Sequence, residues 1–207
     1  MIQQEGDFVQ ENPVLASRFI KNHQSVIRAS LGGAFLVLAL GTAMVSQAHA
    51  TLRDPSEYFF NQSFGDLRDE LATAKKEGKV GLLMMFENTD CPWCHKMKTG
   101  ILNRSEVQDY FRKNFRILSI DTEGGNPITN FDGKEMEEKD YALKVNRVRA
   151  TPVFIFFDLT GKPIVRYTGA TRDLNEFMWL GQYVVDGKYK ELPFAKYKRE
   201  RMTAIGQ

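Results

Sequence analysis

The apolar run Val80-Gly-Leu-Leu-Met-Met-Phe86 leads into the motif Cys91-Pro-Trp-Cys94, which holds the only two cysteines among 207 residues. An uninterrupted run of this kind predicts a buried strand, and the residues after Cys91 can begin a helix. A strand that delivers a Cys-x-x-Cys motif to the N-terminus of a helix is a common arrangement for a reactive dithiol. The two cysteines are therefore the candidate reaction centre.

With His95, the motif becomes Cys-Pro-Trp-Cys-His, which is also the pattern of a c-type haem attachment site. In a monohaem cytochrome, His95 would be the proximal iron ligand and a methionine would serve as the sixth ligand. A third hypothesis is a binding module whose cysteines hold a metal, but a tetrahedral site needs further ligands, and the only other histidines are His23 and His49. The motif alone leaves the dithiol and haem hypotheses open.

Residues 30–45 form an almost wholly apolar or small segment, with basic residues before it and Ala48-His-Ala50 after it. This order is typical of a secretory signal peptide. As a helix the segment would span about 24 Å, less than the roughly 30 Å of a bilayer core, which favours a cleaved signal over an anchor. We therefore expect residues 1–50 to be a signal peptide and the protein to be periplasmic or otherwise exported. An uncleaved membrane anchor at residues 30–45 is the alternative.

The composition suits a single packed domain after the signal. The chain is 43% hydrophobic and 12% aromatic, which is enough for a core, and its net charge of +2 gives no reason to expect a nucleic-acid partner. We expect residues 51–190 to form one domain and residues 191–207 to form a basic, solvated and partly helical C-terminal tail. No dimerisation module is evident in the sequence, so we expect a monomer.

Apolar periodicity predicts helices that alternate with strands and then a final hairpin. This order indicates a mixed sheet with helices on both faces. In the first helix, Phe64, Leu67 and Leu71 are expected to face inward, while the segment from 122 to 134 is rich in Gly, Asn and Asp and predicts a loop. The predicted helices are 61–79, 94–102, 105–114, 135–145 and 174–185, and the predicted strands are 80–86, 115–121, 153–157 and 164–167.

The Cys-x-x-Cys motif after the first core strand, together with Thr151-Pro152 just before another, resembles the thioredoxin superfamily. The resemblance covers residues 60–189. It implies a thioredoxin-like α/β fold, with a central mixed sheet of four or five strands flanked by helices on both faces. The chain is also similar to the exported SoxW-like proteins, on the segments Met85-Phe-Glu87, Cys91-Pro-Trp-Cys-His-Lys-Met97 and Thr151-Pro-Val-Phe-Ile-Phe-Phe-Asp158.

This resemblance implies an exported thiol–disulfide oxidoreductase that reduces disulfides in client proteins. Because the chain has no second cysteine pair, such a reductant would take its electrons from a dithiol donor in the membrane. An oxidant or isomerase of protein disulfides is the alternative. The redox group is the Cys91–Cys94 pair itself, so neither a cofactor nor a metal is expected.

Within the motif, each residue has a predicted role. Cys91 is the predicted nucleophile, because the N-terminus of a helix favours a thiolate. Cys94 is the resolving thiol that breaks the mixed disulfide. Pro92 suits the first helical turn, where no amide donor is needed. Trp93 offers an apolar surface to a client, or is simply a partly buried residue at the start of the helix.

Four residues outside the dithiol are expected to support it. The resemblance implies that Pro152 is cis and lies against the cysteines, with the backbone of Thr151 available to bind a client. Thioredoxins carry a buried aspartate where this chain has Met85, so Glu87, on the same face of the strand, is a candidate general base. The alternative is a surface glutamate at the end of a strand. His95, when protonated, would help to stabilise the Cys91 anion, or is merely solvated.

Overall fold

The structure is a computed structural model that describes residues 51–204 and Gly206. The predicted signal peptide, including the alternative anchor, lies outside the described residues. No helix in the described part of the chain is long and apolar enough to cross a membrane. The helices are α1 (Pro55–Tyr58), α2 (Leu67–Lys76), α3 (Pro92–Met97), α4 (Ser105–Asn114), α5 (Glu138–Asp140), α6 (Leu174–Val185) and α7 (Phe194–Ala204), and the strands are β1 (Gly81–Glu87), β2 (Phe115–Asp121), β3 (Pro127–Thr129), β4 (Glu135–Glu137), β5 (Val153–Phe157) and β6 (Pro163–Thr168). Two π-helical turns, Lys98–Leu102 and Tyr141–Val145, extend α3 and α5, and a 3-10 turn, Lys188–Lys190, precedes α7.

The central sheet has the strand order β2-β1-β5-β6 and is mixed, as predicted. Strand β1 runs parallel to β2 and antiparallel to β5, while β5 and β6 form an antiparallel hairpin. All seven residues of β1 are buried, which is expected for a strand covered on both faces. The carboxyl end of β1 therefore delivers the cysteine motif from the middle of the sheet.

Helices cover both faces of the sheet and create two hydrophobic clusters. One cluster lies under α3, α4 and α6 and is centred on the stacked rings of Phe111 and Phe177, whose centroids are 4.5 Å apart. The other lies under α2 and the turn after α5, where the rings of Phe86 and Tyr141 stack. Both cysteines belong to the first cluster, so the redox site is built on a packed and rigid base.

The first predicted helix is too long at its N-terminal end. Helix α2 begins at Leu67, because Gly65 adopts a left-handed conformation (φ 87°) and the carboxylate of Asp66 accepts a hydrogen bond from the Arg68 amide. The prediction that Phe64 faces inward is wrong, since its side chain is fully exposed.

The structure differs from the predicted loop at 122–134 and the predicted helix at 135–145. Strands β3 and β4 form a small antiparallel ribbon, and helix begins only at Glu138. The turn between the strands is closed by Asn130, whose side chain accepts hydrogen bonds from the Asp132 and Lys134 amides. The Thr129 amide donates to the Gly65 carbonyl, so the ribbon is held by a distant loop that periodicity does not reveal.

The C-terminal segment is helical, as the expected tail was in part, but it is not wholly solvated. Helix α7 docks on α6, and Tyr197 is buried with its ring centroid 5.3 Å from that of Tyr183. The Tyr183 hydroxyl donates to the Leu192 carbonyl, and the Lys198 ammonium lies 2.7 Å from the buried carboxylate of Glu176. The basic residues thus border a helix with one apolar contact face.

Candidate active site at the Cys91–Cys94 disulfide

Cys91 and Cys94 form a disulfide at the start of α3. Cys91 is the N-cap residue, and its Sγ accepts a hydrogen bond of 3.0 Å from the Cys94 amide. Pro92 occupies the first helical position, where its missing N–H leaves no bond unmade. Both cysteines are buried, and Cys91, at 6% exposed, is the more accessible residue of the two, since Cys94 is 1% exposed.

The apolar face of α3 holds the disulfide against the sheet. Met85 of β1, Met97 of α3 and Phe154 of β5 are fully buried in the same cluster as the two cysteines. The Thr171 hydroxyl donates to the thioether of Met97 at 3.7 Å. These contacts fix the helix that carries the motif, which leaves little freedom for the sulfur atoms.

Glu87 lies at the end of β1 and lines a cavity of about 290 Å³ together with both cysteines. The residue is 8% exposed. One oxygen of its carboxylate accepts a hydrogen bond of 2.5 Å from the Ser119 hydroxyl, and the other lies 2.5 Å from the Lys98 ammonium. Glu87 is therefore a buried, paired carboxylate beside the disulfide and not a surface residue.

Lys98 and Ser119 were not predicted as site residues. Lys98 follows Cys94 by one helical turn, and residues four apart share a face of a helix, so the spacing was a usable signal. Ser119 sits opposite Met85 in the parallel register of β1 and β2, which no local pattern indicates. Both residues line the disulfide cavity.

Trp93 and His95 lie on the outer side of α3. The Trp93 side chain is 56% exposed, and the Lys96 ammonium sits 5.0 Å from the centre of its ring. His95 is exposed and lines the disulfide cavity, while its amide donates to the Cys91 carbonyl. Both side chains can therefore contact a molecule that approaches Cys91.

The Thr151–Pro152 peptide bond is cis. Pro152 immediately precedes Val153, whose partner in the antiparallel register is Phe86. It therefore lies at the end of the sheet where Glu87 leads towards the cysteines. Its carbonyl accepts a hydrogen bond from the Gly169 amide. Thr151 is half-buried and lines a separate groove of about 640 Å³.

The chemistry of this arrangement is thiol–disulfide exchange. No group of three or more His, Cys, Asp and Glu side chains within residues 51–204 is placed to hold a metal ion. A cytochrome would need a mostly helical chain and two separate thiols for the haem, whereas this chain folds around a four-stranded sheet and joins its two sulfur atoms. The haem hypothesis does not fit this fold.

A Cys-x-x-Cys disulfide at the end of a central strand, with a cis-proline at the same end of the sheet, defines a thioredoxin-like thiol–disulfide oxidoreductase. The chain belongs to the thioredoxin-like domain family, whose model matches residues 67–184 and so includes both cysteines and Pro152. A comparison with curated proteins found no match.

Several solved structures are similar to this chain. A thioredoxin-fold protein from Helicobacter pylori is 20% identical, with 61% of this chain and 82% of that chain covered and a TM-score of 0.48. A thioredoxin from Thermus thermophilus is 22% identical, with 56% and 82% covered and a TM-score of 0.45. The C-terminal domain of Neisseria meningitidis DsbD is 19% identical, with 56% and 92% covered and a TM-score of 0.42.

Proposed function

We propose that this protein is an exported thiol–disulfide oxidoreductase that reduces client disulfides, with Cys91 attacking and Cys94 resolving. The observation that carries the proposal is the asymmetry of the pair. Cys91 accepts the amide hydrogen bond and is the more exposed of the two residues. A donor held against the sulfur stabilises the thiolate, which is the form that attacks a disulfide.

In the first step, the Cys91 thiolate of the reduced protein attacks one sulfur of the client disulfide. A bond forms between Cys91 Sγ and that sulfur while the client's sulfur–sulfur bond breaks. The second client sulfur leaves as a thiolate and takes a proton from water. The product is a mixed disulfide between Cys91 and the client.

In the second step, the Cys94 thiol loses its proton and its sulfur attacks Cys91 Sγ. The mixed disulfide breaks, and the remaining client sulfur leaves as a thiolate that is then protonated. Two electrons have then passed from the dithiol to the client, and the Cys91–Cys94 disulfide is the oxidised product. A dithiol donor must reduce it before another cycle.

Glu87 is the proposed acceptor for the Cys94 proton. Its carboxylate lines the cavity of the disulfide, and Lys98 and Ser119 each engage one of its oxygens. A base that is held in place by two partners has a defined geometry towards the sulfur it serves. The cavity admits the water that can relay a proton across any remaining gap.

The proposed client contacts lie around Cys91. The backbone of Thr151 would pair with an extended client segment, and Pro152 offers no competing N–H. Trp93 would supply an apolar surface, which its exposure supports. His95 would stand beside the Cys91 thiolate, and when protonated it would stabilise that anion.

Export, electron source and oligomeric state complete the proposal. The order of residues in the first 50 supports a cleaved signal and a periplasmic location, with a tether at residues 30–45 as the alternative. The SoxW-like segments around the cysteines and Thr151 favour a reductant supplied by a membrane dithiol donor. We propose that the protein acts as a monomer, with residues 51–190 as the catalytic domain.

The direction of electron flow can be tested by equilibrating the purified protein with glutathione redox buffers and counting thiols after acid quenching. A reductant should have a reduction potential near that of thioredoxin, about −270 mV, while a value above about −150 mV would identify an oxidant and contradict the proposal. Reactivation of a protein with scrambled disulfides, without net oxidation or reduction, would instead identify an isomerase.

A further inference from the structure

A groove of about 960 Å³ opens beside the disulfide cavity on the β2 side of β1. Its floor includes residues 118–120 of β2, one wall is the loop 60–65, and the other wall is the outer side of α3 and the turn that follows. Glu87, His95, Lys98 and Ser119 line both the groove and the disulfide cavity. A molecule in the groove therefore lies next to the reactive sulfur.

The floor of the groove lies along an edge of the central sheet, because β2 is its outermost strand within the described part of the chain. In the parallel ladder with β1, the Thr122 amide donates to the Glu87 carbonyl, so the even-numbered residues of β2 point their backbone groups towards β1. The odd-numbered residues then point theirs outward. An outward backbone group on an edge strand is a ready partner for another extended chain.

Neighbouring segments occupy this edge on both sides of Ser119. The Asn61 amide donates to the Ile117 carbonyl, and the Ile117 amide donates to the side chain of Asn61. The Asp121 amide donates to the carboxylate of Glu138. Ser119 lies between them as an exposed residue, and no hydrogen bond joins its N–H or C=O to another of the described residues.

The walls of the groove add apolar surface. Phe64 is 107% exposed and Leu52 is 61% exposed, and both line the groove. Burying a large apolar side chain of a bound polypeptide against them would remove apolar surface from water and so favour binding. The volume lies near the upper end of the roughly 300–1,000 Å³ typical of small-ligand pockets, and an open strand edge suits an extended polypeptide better than a compact ligand.

We propose that this groove binds an extended segment of the disulfide-bearing client polypeptide, which pairs with the Ser119 backbone and packs an apolar side chain on Phe64. The inference rests on the proposed reductase function, because continuity with the disulfide cavity is what selects a client as occupant. The client would then be held on both sides of β1. Thr151, which precedes β5, would bind it on one side, and Ser119 of β2 would bind it on the other. A loop with a disulfide could thus straddle Cys91.

The direct test uses the full chain with the Cys94→Ser substitution, which stops the second step. The reduced variant is converted to a mixed disulfide by attack of Cys91 either on a synthetic disulfide-bonded peptide rich in apolar residues or, as the matched control, on bis(2-hydroxyethyl) disulfide, which releases 2-mercaptoethanol. Amide hydrogen exchange is then followed by NMR. Exchange at Ser119 should slow at least tenfold in the peptide adduct relative to the small adduct.

Equal Ser119 exchange in the two adducts would overturn the groove inference while leaving the reductase proposal intact. Failure of Cys91 to form either adduct would remove both. Slow exchange at Ser119 before any client is added, together with a dimeric mass in solution, would show that a second copy covers the edge and would also contradict the inference.

Kinetics provide an independent test through the ratio of kcat/KM for the disulfide peptide to kcat/KM for a small aromatic disulfide. Phe64→Ala should lower this ratio about fivefold, whereas Val80→Ala, at an exposed position just before the opposite end of β1, should leave it unchanged. Ser119→Pro removes the outward amide at an edge position that tolerates proline, and Ser119→Ala keeps that amide. The groove would be refuted as a client site if Phe64→Ala had the same ratio of kcat/KM values as Val80→Ala, and Ser119→Pro the same ratio as Ser119→Ala.

Discussion

The Lys98 ammonium lies 2.5 Å from a carboxylate oxygen of Glu87. Lys98 stands one turn after Cys94, and Glu87 ends the strand that leads to the motif. The Ser119 hydroxyl holds the other carboxylate oxygen at 2.5 Å. The carboxylate is thus fixed beside the disulfide by residues from two further elements, which gives a precise geometry to the proton transfer proposed for Cys94.

Glu87→Gln should slow the resolving step and spare the attack by Cys91. The amide keeps the shape of the side chain but cannot accept the proton, and a general base contributes about 100-fold or more to such a step. The measurement is the lifetime of the mixed disulfide in rapid-quench experiments across pH. Glu106→Gln, at a half-exposed position on α4, is the control. An unchanged lifetime across pH would end the proposal for Glu87.

Lys98→Met should slow the same step by a smaller factor, about tenfold, because the base remains while one of its two restraints is lost. Rapid-quench lifetimes of the mixed disulfide, compared with those of Lys96→Met on the neighbouring exposed position, measure the effect. A Lys98→Met protein that resolves as fast as the unmodified protein would show that Ser119 alone positions the carboxylate.

Cys94→Ser should accumulate client proteins as mixed disulfides, and Cys91→Ser should accumulate none. The reason is that Cys91 is the more exposed of the two residues and the proposed nucleophile, while the loss of Cys94 removes the sulfur proposed to resolve the product. Non-reducing electrophoresis and mass spectrometry of the trapped species provide the measurement. Adducts found on Cys94 in the Cys91→Ser protein would reverse the assigned roles.

The docking of α7 should weaken in acid through Glu176. Burial acts to raise the pKa of this carboxyl, but hydrogen bonds from Lys198, the Arg172 amide and Tyr167 together hold the pKa below its ordinary value of 4.5. A lowered folded-state pKa stabilises the fold above pH 4.5, and the stabilisation is lost as pH falls through the folded value.

Glu176→Gln should therefore lower the free energy of unfolding at pH 7 by about 2 kcal/mol, the typical value for hydrogen bonds to a buried charge, and should flatten its acid dependence. Urea unfolding at pH 7 and in acid measures both effects. Glu200→Gln, at an exposed position on α7, should change neither. If the free energy of unfolding fell in acid as steeply for the Glu176→Gln protein as for the unmodified protein, other carboxylates would govern the acid dependence.

Gly181→Ala should destabilise the fold even though alanine is the better helix former. A Cβ at this position of α6 would lie 2.7 Å from the ring of Phe111, which is fully buried and cannot move away. Overpacking of this kind costs about 1–3 kcal/mol. Gly100→Ala, with nothing within 4 Å, should instead be neutral or slightly stabilising. Thermal unfolding of both variants measures the contrast, and equal melting temperatures would argue against tight packing between α4 and α6.

Local patterns were sufficient for the elements at the centre of the fold. The sequence predicted β2, β5 and α6 with the bounds that the structure has, because the alternation in β2, the apolar run of β5 and the 3.6-residue period of α6 leave few alternatives. The cysteine motif was equally local, since the strand, the linker and the helix that present it are consecutive in the chain. The class of fold and the identity of the dithiol follow from such short-range information.

Contacts between distant segments decided the rest. The β3–β4 ribbon depends on the loop at Gly65, and α7 is ordered by its contact with Tyr183 on α6, so neither element shows in its own periodicity. The surroundings of Glu87 required the pairing of β1 with β2, because Ser119 is 32 residues away in the chain. Periodicity records whether a residue faces a core, but only the packed sheet determines which side chains meet there, since hydrogen bonds and ion pairs act over a few ångströms in space.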